Sequence, residues 1–241
     1  MDLWNFWDRY THASETRVWL EKAVAQPGLG VSPIRIQALR MANYLALRQV
    51  DYPGAKAWAE RSLAMAEETG DRWEITRSLN HLAITALLQG DYDSGRSLLE
   101  ACLAGYRELR REEYIPGILN NLGELARYQG DFEHAVALYE ETLAHFKASG
   151  ERIGTMVTME SLGYAQYHLG LFHEARATLF EALTLARDTD SLMHVAVILA
   201  SLGGVIIARL DRTGVRSRGP WSRLCTYLGF QRSCLKASVR N

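Results

Sequence analysis

The chain has 241 residues, 48% of them apolar and 23% charged, enough apolar material for a substantial core in one or two soluble domains. Its net charge of −1 conceals an asymmetry: between Arg212 and Asn241 stand six Arg, one Lys and no acid, giving +7 and leaving −8 for residues 1–211. Three cysteines (Cys102, Cys225 and Cys234) are too few and too unevenly placed for a disulfide framework, which points to a reducing compartment.

The first ten residues carry Asp2 and Asp8 and no basic segment followed by an apolar run, so no signal peptide is readable and a cytoplasmic location is expected. Arg17-Val18-Trp19-Leu20-Glu21-Lys22-Ala23 parallels Lys56-Ala57-Trp58-Ala59-Glu60-Arg61-Ser62, 39 residues on. Residues 1–34 therefore read as a partial repeat, with Leu3-Trp4-Asn5-Phe6-Trp7 as a stub of its first helix.

From 35 to 193 the sequence reads as four complete repeats of two helices each, A and B, with a period of 40 residues. Gln49-Val50-Asp51-Tyr52, Gln89-Gly90-Asp91-Tyr92, Gln129-Gly130-Asp131-Phe132 and Leu169-Gly170-Leu171-Phe172 follow one another at equal steps. Leu82-Ala83, Leu122-Gly123, Leu162-Gly163 and Leu202-Gly203 keep the same step, as do Ala55, Gly95, Ala135 and Ala175. In the third repeat, apolar Leu119, Leu122, Leu125 and Ala126 share one stripe of a helix expected over 116–128, and helix B is expected over 133–148. The glycine after helix A suits a left-handed closing residue, and the following Asp caps helix B. Small residues at 123, 135, 163 and 175 allow close helix approach, and Gly70 and Gly150 end helix B. Val50 in place of the turn glycine, Ala42-Asn43 in place of Leu-Gly, and Leu171 in place of the capping Asp are departures.

Residues 194–211 supply helix A of an incomplete fifth repeat, expected over 194–208; its apolar run from Val195 to Ile207 is too short for a membrane span. Residues 212–241 break the pattern. This basic tail reads as foreign to the repeat array, as a makeshift capping helix carrying Trp221, Leu224, Cys225, Leu228 and Leu235, or as a basic arm for an acidic partner.

The repeat resembles the tetratricopeptide repeat through Leu122, Gly123, Gly130, Asp131, Phe132, Ala135 and Tyr139. The 40-residue step and turns such as Thr69-Gly70-Asp71-Arg72-Trp73 are similar to the repeat regions of LuxR-type and maltose-regulator-like signalling ATPases. The resemblance implies an all-α, right-handed superhelical solenoid of antiparallel helix pairs. It implies no cofactor and a partner held on the concave, helix-A wall.

On that wall the step of 40 aligns Arg40, Asn80, Asn120 and Glu160, then Tyr44, Glu124 and Tyr164. One turn on come Arg127 and Tyr167, then Arg48, Tyr128 and His168; Asn121 takes the place where related peptide-binding domains carry a backbone-holding Asn. Tyr and Arg combine contact area with hydrogen bonding. No phosphate-binding Gly-x-x-x-x-Gly-Lys-Ser/Thr loop is present, and neither His168 with His173 nor Cys225 with Cys234 has metal-ligand spacing. A non-catalytic module for a protein or peptide partner is expected, in a signalling or transcription regulator. A regulatory domain for a small inducer or signalling peptide is the alternative, and nucleic-acid binding through the tail is the weakest reading. Self-association through the C-terminal end is a further expectation.

Overall fold

A computed structural model describes Leu20, Lys22, Val24, residues 30–189 and residues 192–212, with side chains to 208. The stub at 3–7 and the tail from 213 onward, with the readings placed on them, lie outside the described residues. Among the described residues there are nine α-helices and no strand. They are α1 Pro33–Arg48, α2 Tyr52–Thr69, α3 Arg72–Gln89, α4 Tyr92–Glu108, α5 Ile115–Gln129, α6 Phe132–Ser149, α7 Arg152–His168, α8 Phe172–Asp188 and α9 Leu192–Arg212. A single 3-10 turn, Glu112–Tyr114, precedes α5. The chain divides into two compact units, Met1–Asn121 and Leu122–Asn241, and the boundary falls inside α5.

The turns explain the pairing of the helices. Each A-to-B link closes with the same backbone bond: Asp51, Asp91, Asp131 and Leu171 donate their N–H to the carbonyls of Ala46, Ala86, Ala126 and Gln166 at 2.9–3.0 Å. This closure needs a left-handed residue just before the donor, supplied by Gly90, Gly130 and Gly170 at φ of 82°, 80° and 76°. In the first repeat Val50 takes that conformation, at φ 60°. The following Asp then caps helix B: Gly54, Ser94 and His134 donate to Asp51, Asp91 and Asp131. Leu171 makes no such bond. The caps place α5 and α6 within one residue of the expected ends at 116–128 and 133–148. Helix α9 starts two residues earlier and runs four residues further than the expected 194–208.

In unit 1, α2 buries Ala55, Ala59, Ser62 and Ala66 completely, a stripe of small residues that lets its neighbours approach. The 3-10 turn brings Tyr114 onto Tyr106, stacked at 5.2 Å, and Trp73 meets Tyr114 edge-on at 4.9 Å.

In unit 2 the matching stripe is Ala175, Leu179, Ala182 and Ala186, which joins Met156, Met159, Ile198, Leu202 and Val205 in one core. Each large aliphatic side chain buried there contributes about 1.5–3 kcal/mol. Gly163 lies against Leu179 so closely that a Cβ would come within 2.6 Å of it, the reason for a small residue in the Leu-Gly pair. Among the described residues, no helix is long and apolar enough to cross a membrane.

Candidate functional site

Helix-A positions in unit 1 build a polar network. Arg40, expected on an open wall, is 2% exposed and ion-paired with the buried Glu74. Helices α1 and α3 pack side by side, and the guanidinium bridges them instead of facing solvent. Burial lowers the Arg40 pKa, and the hydrogen bond to Glu74 opposes that shift. The other Glu74 oxygen lies 3.9 Å from Arg77, whose guanidinium sits 5.4 Å from the Trp73 ring.

Beside this pair, Asn43 donates to the Ala55 carbonyl and to Thr85, both at 2.8 Å, and its oxygen lies 3.0 Å from His81 Nδ1. Asn43 thus replaces the usual close-packing glycine with hydrogen bonds that pin α1 to α2 and α3. Burial, then the charges of Arg40 and Arg77, push the His81 pKa down to about 4. Asn121 donates to Asn80 at 3.2 Å. Tyr44 is half-buried with Arg48 5.9 Å above its ring, and Asn120 is half-buried.

Unit 2 holds the denser cluster. Glu124, Arg127 and Tyr128 stand three and four residues apart on α5, one face of a helix. Forty residues on, Tyr164, Tyr167 and His168 hold the same positions on α7. Glu124 Oε2 accepts from Arg127 Nε at 2.9 Å and Nη2 at 2.5 Å, while its Oε1 accepts from the Tyr139 hydroxyl at 2.6 Å. So anchored, the Arg127 guanidinium lies 4.4 Å from the Tyr128 ring and 5.2 Å from the Tyr164 ring. Burial opposes its charge, but the adjacent Glu124 carboxylate outweighs that and raises its pKa.

His168 stacks flat on Phe132 at 4.5 Å and touches Tyr164 and Tyr167. Its Nε2 is buried without a hydrogen-bond partner. Burial, then the charge of Arg127, lowers its pKa. Tyr128 is 40% exposed, whereas Tyr167 is only 8% exposed and packs against Phe172. Tyr167 is therefore core and not wall, because the close approach of α7 and α8 carries its ring inward. Glu160 pairs with His194 at 3.0 Å.

The structure thus assembles Glu124, Arg127, Tyr128, Tyr164 and His168 into one patch, and Asn80 with Asn121 into another pair. Sequence reasoning missed Glu74, His81, Tyr139 and His194 as partners of these groups. The spacing of 34 from Arg40 to Glu74 and from Glu160 to His194 was the available signal, hidden behind the 40-residue period. Among the described residues no three His, Cys, Asp or Glu gather as a metal site. A separate open groove of about 520 Å³ lies in unit 1 between α2, α3 and α4, with Lys56, Glu60, Ser97 and Leu98 on its walls.

The tetratricopeptide repeat family matches residues 75–110 and 114–188. No curated protein sequence matches the chain. Among solved structures, BtubC from P. vanneervenii is similar at TM-score 0.63 and 19% identity, over 90% of this chain and 89% of that one. The Rap conjugation gene regulator of plasmid pLS20, solved with the Phr* peptide, is similar at TM-score 0.69 and 14% identity. That match spans 84% of this chain and 58% of the regulator. A signal-transduction ATPase of Pyrococcus horikoshii with a tetratricopeptide repeat sensor gives TM-score 0.65 and 13% identity, over 94% of this chain and 40% of that one.

Proposed function

We propose that this chain, whose residues 75–110 and 114–188 match the tetratricopeptide repeat family, is a non-catalytic cytoplasmic module that holds a peptide or helix of a partner protein on its helix-A face. The contact patch is the Arg127–Tyr128–Tyr164 cluster of unit 2. One observation carries the reading: Arg127 is charge-balanced by Glu124 and lies 4.4 Å and 5.2 Å from the rings of Tyr128 and Tyr164, of which Tyr128 stays 40% exposed. A guanidinium fixed in this way has already given up its rotamer freedom, so a ligand gains planar contact and hydrogen bonding at low ordering cost. The half-buried Tyr44 and the exposed Arg48 offer a second, looser contact in unit 1. The fold shared with a regulator solved with a bound peptide supports a peptide ligand, and the signalling ATPase with a repeat sensor supports a role in regulation.

Selection of binders from a random 12-residue peptide library, followed by hydrogen–deuterium exchange with the best binder, tests this. Protection is expected in the C-terminal halves of α5 and α7. Protection confined to α6 and α8 would refute the helix-A face.

A further inference from the structure

Glu124 and Arg127 depart from the repeat together. The step of 40 gives Tyr44, Ile84, Glu124 and Tyr164 at one position and Leu47, Leu87, Arg127 and Tyr167 three residues on. Where the other repeats place apolar or aromatic residues at both, this one places an acid and a base.

The two charges are closed on each other. Glu124 Oε2 accepts both bonds from Arg127, at 2.9 and 2.5 Å, and its Oε1 accepts from the Tyr139 hydroxyl at 2.6 Å. Three of a carboxylate's roughly four acceptor positions are thereby filled. The Glu124 and Arg127 side chains are only 20% and 21% exposed. A basic ligand group therefore meets a carboxylate already engaged, with a cation beside it. An acidic one meets a guanidinium already paired, with a like charge next to it.

What stays open is π surface. Phe132, His168, Tyr164, Arg127 and Tyr128 form an unbroken run, with successive groups 4.5, 4.5, 5.2 and 4.4 Å apart. Tyr128 ends the run and is 40% exposed, while the other four are half-buried. An uncharged ring laid on Tyr128 continues the run at the spacing that aromatic pairs prefer, about 4.5–7 Å.

We propose that the site takes an uncharged aromatic side chain of the partner peptide on Tyr128 and Arg127, and that Glu124 sets this preference by cancelling the Arg127 charge. Glu124 is thus a positioning residue that acts through Arg127. This chemistry rests on the helix-A reading of the site, to which it adds the class of side chain bound.

The test compares peptides selected from the random library by the unsubstituted full chain and by Glu124→Gln, whose amide oxygen still accepts a hydrogen bond while the charge is gone. The unsubstituted chain is expected to enrich Tyr, Phe or Trp at one peptide position. The best peptide remade with Glu or Lys at that position should bind it roughly tenfold more weakly or worse. On Glu124→Gln the Glu-bearing peptide should gain about tenfold or more relative to the aromatic one, and the gain should shrink as salt rises. The peptide series on the unsubstituted chain needs no protein variant, so it decides the matter even where Glu124→Gln fails to fold. Enrichment of Asp, Glu, Lys or Arg by the unsubstituted chain would overturn the proposal, as would the same aromatic-to-Glu ratio in both proteins. If binding is then lost in Arg127→Ala/Tyr128→Ala, the failure is confined to the ligand chemistry. Binding that survives that double change overturns the helix-A reading as well.

Discussion

Gly123 of α5 faces the ring of Tyr139 on α6, and a Cβ at Gly123 would lie 2.6 Å from Tyr139 Cε1. The same ring, fully buried, sends its hydroxyl to Glu124. One contact therefore closes a helix pair and orients the carboxylate that fixes Arg127. Gly123→Val should cost about 1–3 kcal/mol by overpacking. Gly117, on the same helix with nothing near its missing Cβ, should gain about 0.5–1 kcal/mol on change to Ala. Urea unfolding of the two variants checks both signs.

Leu171 stands where Asp51, Asp91 and Asp131 cap their helices, and it leaves the first turn of α8 without a side-chain acceptor. Leu171→Asp is expected to stabilise by about 0.5–1 kcal/mol. A thermal melt showing no rise in Tm would mean that water already serves those amides as well.

Val50 is a β-branched residue held at φ 60° by the turn closure it shares with three glycines. Left-handed backbone costs an L-residue about 1–2 kcal/mol, and glycine returns part of that as chain entropy. Val50→Gly should therefore raise stability by about 0.5–1 kcal/mol, read from denaturant midpoints at unchanged slope.

The repeat, its period and its helix ends were legible because turn chemistry is local. Gly130-Asp131 states both the closing residue and the cap, so the edges of α5 and α6 fell within one residue. The wall was less legible. Whether Arg40 or Tyr167 faces solvent depends on residues 34 positions away or on the neighbouring helix, and a period of 40 does not encode that. The patch around Arg127 was readable in its members, but the Tyr139–Glu124–Arg127 relay that holds it was not, since Tyr139 stood out only as a residue of the repeat signature.

Acid should weaken unit 1 through His81. Its pKa is near 4 in the folded chain against about 6.5 when unfolded, so as pH falls below 6.5 the unfolded chain takes the proton first. Stability contributed by the neutral ring is full above pH 6.5, declines between 6.5 and 4, and is gone below 4. His81→Gln should make that decline shallower by roughly 2–3 kcal/mol. Identical slopes in the two proteins would show that other groups carry the acid response.

The most direct measurement is the affinity of a library-selected peptide for the unsubstituted chain and for Arg127→Ala/Tyr128→Ala, with circular dichroism showing equal helicity. The account predicts at least a tenfold loss, about 1.4 kcal/mol, when the fixed guanidinium and its exposed ring are removed. Equal affinity would contradict it and move the ligand off the helix-A face of α5 and α7.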